Sequence, residues 1–132
     1  MSESAQHKEL VELIIKYVED HVGREHICFI ESDIADNRPL PPMTEEGFRP
    51  DVTYEYTGLM IIGEAKTKDD VLRDHSLKQY ASYLKKCSCF QGKAEYVMAV
   101  PWMEHASANN VIKKIKKDYP GDYEIKIIKG MV

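Results

Sequence analysis

The chain has 132 residues, 43% of them hydrophobic and 30% charged, with a mean hydropathy of −0.44; this describes one globular domain, 1–132, able to bury a core of its own. No apolar run approaches the roughly 20 residues that cross a bilayer, Leu13–Ile15 is too short for a signal-peptide core, and three cysteines, Cys28, Cys87 and Cys89, make no disulfide framework. Membrane, secreted and disordered classes are excluded, and a reducing cytoplasm is expected. The net charge of −4 is uneven: residues 1–65 hold 5 basic and 14 acidic side chains, residues 66–132 hold 13 and 8, a distribution that allows a basic face on an acidic protein.

In chain order, Leu10, Val11, Ile14, Tyr17 and Val18 recur at helical spacing and predict a helix over 8–21, stopped by Gly23. The apolar run 26–31 predicts a strand. Residues 32–48, with Asn37, three prolines and Gly47, form a 17-residue loop, long enough to be functional. A strand over 51–56 precedes a nearly continuous apolar run, 59–67, expected to be buried on both faces. A helix follows over 69–87, with Thr67 and Asp70 placed like a capping box. Then come a buried strand over 95–102, a lysine-rich helix over 107–119 and an edge strand over 124–129. This order gives an α/β fold with a mixed central β-sheet flanked by helices.

The chemistry concentrates where the buried strand 59–67 carries charge, at Glu64 and Lys66. Period 2 puts both on the face of Met60 and Ile62. If the strands form a hairpin turning at Thr57-Gly58, or on a four-residue loop from Tyr56 to Leu59, Tyr56 faces Leu59 and Asp51 faces Glu64, with Cβ atoms roughly 5 Å apart; a three-residue loop would shift the register by one. Two opposed carboxylates repel unless a cation lies between them. Oxygen donors with room for water suit Mg²⁺ or Mn²⁺. A lysine beside such an ion can position the attacking water or neutralise an anionic transition state. On the wheel of the following helix, Leu72, Gln79 and Tyr83 fall within about 40° of one another, so an amide faces the core side.

Arg49-Pro50-Asp51, twelve intervening residues, then Glu64-Ala65-Lys66 resembles the core motif of the PD-(D/E)XK nuclease superfamily, and the element order resembles its restriction-endonuclease-like αβββαβ core over residues 8–102. The resemblance implies that Asp51, Glu64 and the carbonyl of Ala65 hold Mg²⁺ or Mn²⁺. It also implies that Lys66 assists the attacking water and that Gln79 orients water or substrate. An acidic residue of the first helix often joins such a site; Glu9 lies nearer the apolar face than Glu12 and is the expected ligand, with His7 close to the same place. The implied function is a metal-dependent endonuclease acting on DNA, structure-specific or restriction-like, working as a homodimer without a membrane. RNA stays open as a substrate. Two competing readings are a catalytically inactive nuclease-fold module that binds nucleic acid or another partner, and an enzyme acting on a small phosphate ester.

Elsewhere the signals are weaker. Cys87-x-Cys89 with Cys28 lacks the paired spacing of a zinc site. No glycine-rich phosphate loop occurs. Lys113, Lys114, Lys116 and Lys117 form a positive helix face that would contact a polyanion backbone.

Overall fold

A computed structural model describes residues 4–34 and 37–131. Helix α1 covers Ala5–Val22, and it begins where the Ser4 hydroxyl accepts the His7 N–H at 3.1 Å, satisfying one donor of the first turn. It ends at Gly23, whose φ of 86° favours glycine. Five strands form one sheet in sequence order: β1 (Glu31–Ser32), β2 (Val52–Tyr56), β3 (Leu59–Ala65), β4 (Lys93–Pro101) and β5 (Glu124–Gly130). β1, β2 and β3 pair antiparallel, while β4 joins β3, and β5 joins β4, in parallel. The crossovers carry α2 (Asp74–Cys89) and α3 (His105–Lys116). The fold is thus α/β, with a mixed sheet between helices, and β5 lies at the edge as its alternating charges require.

Side chains of β3 and β4 alternate between two cores. Ile61, Ala65, Val97 and Ala99 pack with Leu10, Val11, Ile14 and Val18 of α1. Met60, Ile62, Tyr96 and Met98 pack with Tyr80, Tyr83 and Leu84 of α2 and with Ala108 and Ile112 of α3. This two-sided burial explains why β3 reads as an unbroken apolar run. A Cβ placed on Gly63 would come within 2.6 Å of Ile14 Cγ2, so the absence of a side chain lets α1 lie close on β3.

Two elements depart from expectation. The apolar run 26–31 is mostly a 3-10 turn, Arg24–Phe29, leaving only two residues for β1. His26 and Phe29, three apart and so on one side of such a turn, both pack on Tyr56, the Phe29 and Tyr56 rings stacking at 4.4 Å. A short apolar run serves a strand or a helical turn equally well, and here the three-residue spacing prevails. The second helix starts at Asp74 rather than Asp69. Thr67 and Asp70 instead close a separate turn, with the Asp70 N–H donating to the Thr67 carbonyl at 3.0 Å and the Thr67 hydroxyl to Asp70 Oδ2 at 3.2 Å.

Candidate active site

The β2–β3 hairpin turns on Thr57 and Gly58, both at positive φ (46° and 79°), the backbone of a two-residue turn whose twist matches the strands. That turn fixes Tyr56 against Leu59 and Val52 against Gly63. One step further the same register sets Asp51 against Glu64, as expected from the sequence. The two are locked together: Glu64 Oε1 accepts the Asp51 N–H at 3.2 Å, and Asp51 Oδ2 accepts the Ala65 N–H at 2.8 Å. Both side chains are buried, with residue exposures of 6% and 4%.

Lys66 follows on the same face as Glu64 and is also buried. Its ammonium lies 3.4 Å from Glu64 Oε2 and donates to Gln79 Oε1 on α2. Lysine offers only donors, so the amide must present its oxygen there. Burial, and after it the charge of Asp51, pushes the Glu64 carboxyl well above the ordinary range; Lys66 and the Asp51 N–H offset this only in part. The buried ammonium thus pairs with Glu64, while Asp51 is met by the Ala65 N–H and by the first helix.

The first helix contributes a residue other than the expected one. Glu9 is exposed and lines a surface groove with Glu12, Lys16 and Met131, so the structure does not bring it to the carboxylate pair. His7 does reach it, with Nε2 3.3 Å from Asp51 Oδ2. Two residues apart on a helix means roughly 200° around the axis, so only one of the two positions faces the sheet end. The reach of His7 also depends on its place in the first turn of α1, which an azimuth does not record.

Among the described residues, no group of three or more His, Cys, Asp or Glu side chains is placed to hold a metal. The donor set is smaller and made of oxygen. Carried one residue past Asp51, the register places Pro50 opposite Ala65, and proline has no N–H to give the Ala65 carbonyl. By that register the carbonyl receives no donor from residue 50, and the Ala65 N–H is the one held by Asp51 Oδ2. A hard cation that keeps several waters and takes only a few protein oxygens fits such a set. The excess negative charge and the raised Glu64 pKa are what a cation would relieve.

The surroundings sort the remaining expectations. The 32–48 loop, described apart from residues 35 and 36, is tied down: the Ser82 hydroxyl bonds Thr44 Oγ1 and Glu46 Oε1 at 2.6 Å each, and Arg49 Nη1 donates to the Pro41 carbonyl at 3.2 Å. The lysine run of α3 lies away from the carboxylate pair. α3 starts from the end of β4 near Ala65 and Lys66 and carries Lys113–Lys117 toward the opposite end of the sheet. Lys116 is engaged in the fold, donating to the Tyr123 carbonyl at 3.0 Å and lying over its ring. At that far end a cavity of about 610 Å³ is lined by His21, Glu95 and Glu124. Buried Glu95 is held by the Tyr17 hydroxyl at 2.6 Å, a structural arrangement away from the carboxylate pair. Cys28, Cys87 and Cys89 are free thiols, and no described helix is long and apolar enough to cross a membrane.

No protein family, curated protein or solved structure matches the chain.

Proposed function

We propose that this chain is a divalent-metal-dependent endonuclease hydrolysing phosphodiester bonds in DNA, built on a restriction-endonuclease-like αβββαβ core. One observation carries the reading: Asp51 just before β2, Glu64 in β3, Lys66 just after it and Gln79 of α2 converge at one sheet end, with Lys66 held between Glu64 and Gln79. Such an arrangement of buried charge is costly to a fold and has a ready use in phosphoryl chemistry.

Asp51, Glu64 and the Ala65 carbonyl would hold Mg²⁺ or Mn²⁺. The bound ion supplies Lewis-acid stabilisation of charge developing on the phosphate and lowers the pKa of water. His7 orients Asp51. An ammonium has three N–H donors; with Glu64 and Gln79 fixing its position, Lys66 directs the remaining one at the attacking water or a phosphate oxygen. Gln79 sets the lysine rather than the ion. Cutting both strands with one site per chain calls for a homodimer, and phosphate contacts and DNA shape are what this domain is suited to recognise.

The net charge of −4 and the exposure of Glu9, the first-helix acid expected at the site, favour a second reading, an inactive module on the same core that binds nucleic acid. Cleavage of a panel of plasmid, linear duplex, single strand, four-way junction and RNA, with Mg²⁺, Mn²⁺ or EDTA, separates the two. The nuclease reading expects cutting that EDTA abolishes; binding without cutting on every substrate supports the module.

A further inference from the structure

β3, β4 and β5 run parallel, and the carboxylate–lysine site lies at their carboxyl ends, where an α/β sheet receives its ligands. The same end carries exposed apolar surface. Four large apolar side chains stand in solvent past these strands: Leu72 after β3, Trp102 and Met103 after β4, and Met131 after β5, with exposures from 57% to 89%. Pro101 pairs with Gly130, so Trp102 and Met131 leave the sheet side by side. Apolar side chains gathered at one place, rather than scattered, mark a surface that meets a partner.

Trp102 belongs to the strand beside the site. The Lys66 N–H donates to the Ala99 carbonyl at 3.0 Å, and Trp102 lies three residues past Ala99, about 10 Å along the strand direction. Two residues before it, Val100 shares the sheet face of Met60 and Ile62, the face on which Glu64 and Lys66 continue. Two helices also begin at this end: α1, whose His7 meets Asp51, and α3, three residues after Trp102. Neither has an acidic side chain in its first turn, and their positive ends favour an anion. The surface therefore suits a partner that is both anionic and flat-faced. A nucleic-acid strand with unpaired bases is such a partner, because its phosphates are charged and an indole stacks on any base. In a continuous duplex the base faces are covered by their neighbours.

We propose that Trp102 stacks on an unpaired base of the strand held at the carboxylate–lysine site, so that the substrate is single-stranded DNA or duplex DNA with a single-stranded tail. The inference rests on the nuclease reading above and narrows its substrate class.

The test takes two readings on end-labelled DNA, in EDTA and again with Ca²⁺ in place of Mg²⁺. Anisotropy of the label reports binding, and emission of Trp102, the only tryptophan of the chain, reports stacking. The probes are a single strand, a blunt duplex and the same duplex with a single-stranded tail. The single strand and the tailed duplex are expected to quench the emission, and the blunt duplex to leave it unchanged. Trp102→Ala is expected to weaken binding of the first two by about tenfold, as for one lost base–aromatic stack, and Trp102→Phe by less. Single strand that binds without changing the emission, and binds Trp102→Ala equally well, overturns the inference and leaves the nuclease reading standing. An equal loss for Trp102→Ala on the blunt duplex also overturns it. So does emission that changes with protein concentration but not with DNA, which assigns the apolar surface to a second copy of the chain. A wild type that binds none of the probes overturns the DNA reading itself, and this inference with it.

Discussion

Asp51 and Glu64 each hold the other strand's backbone: Glu64 accepts the Asp51 N–H at 3.2 Å, and Asp51 accepts the N–H of Ala65 at 2.8 Å. The carboxylates that repel each other are therefore also the caps of two buried backbone donors. Removing the charge and removing the acceptor have opposite consequences.

Asp51→Asn and Glu64→Gln keep an acceptor oxygen and relieve the repulsion, so both are expected to raise the melting temperature of the metal-free protein. Asp51→Ala and Glu64→Ala leave a buried N–H unpaired and are expected to cost about 1–3 kcal/mol. Thermal denaturation in EDTA checks both signs. Equal stabilisation by alanine and amide would show that repulsion dominates and that the backbone bonds contribute little.

The pH dependence follows from Glu64. Burial and Asp51 make the folded state bind its proton more tightly than the unfolded chain, whose ordinary value is 4.5. This contribution to stability is fully present below that value. As pH rises through it, the unfolded chain releases the proton first, and stability falls until the folded carboxyl also ionises. A cation takes the place of that proton. Mg²⁺ should therefore raise the melting temperature more at mildly alkaline than at mildly acidic pH, and Glu64→Gln should remove the difference. A Mg²⁺ effect independent of pH would contradict the assignment.

His7 and Glu9 separate geometry from residue type. His7→Ala is expected to lower the cleavage rate by roughly ten- to a hundredfold, as expected for loss of a group that orients a ligand, because it frees Asp51 Oδ2 from a contact at 3.3 Å. Glu9→Ala, on the exposed side of α1, should leave the rate unchanged. Initial rates under saturating Mg²⁺ decide; a large loss for Glu9→Ala alone would reverse the assignment.

Gly63 connects the fold to the site, since α1, which delivers His7, rests on β3 where that glycine precedes Glu64. Its added Cβ would meet Ile14 Cγ2 at 2.6 Å, and Ile14 is branched at Cβ and cannot swing aside freely. Gly63→Ala is expected to cost about 1–3 kcal/mol by overpacking, measured by urea denaturation. No change in the midpoint would mean that α1 moves away without penalty.

The sequence was most informative where short-range geometry leaves few solutions. Thr57-Gly58 suits a two-residue turn, and the register that follows from it brings Asp51 to Glu64; the positive φ at both turn residues and the observed pairing chose this register over the one shifted by a residue. The helical spacing of Gln79 likewise put an amide on the face that meets Lys66. What was not legible depended on distance along an axis or on tertiary packing. The wheel ranked Glu9 above Glu12 by azimuth but did not show that His7 is the residue that reaches the sheet end. Residues 26–31 carry no period long enough to distinguish strand from turn, and packing on Tyr56 decided it. The α3 lysines read as a positive face, but only the crossover from β4 showed that they run away from the carboxylates.

The most direct test is cleavage by the wild type beside Glu64→Ala and Lys66→Ala, on whichever substrate of the panel is cut best, with Mg²⁺ binding measured on the same preparations. The account predicts that Glu64→Ala loses both cleavage and Mg²⁺ binding. Lys66→Ala should lose most of its rate while still binding Mg²⁺. Full activity in Glu64→Ala would contradict the account, and loss of Mg²⁺ binding by folded Lys66→Ala would assign the lysine to holding the site rather than to the reaction.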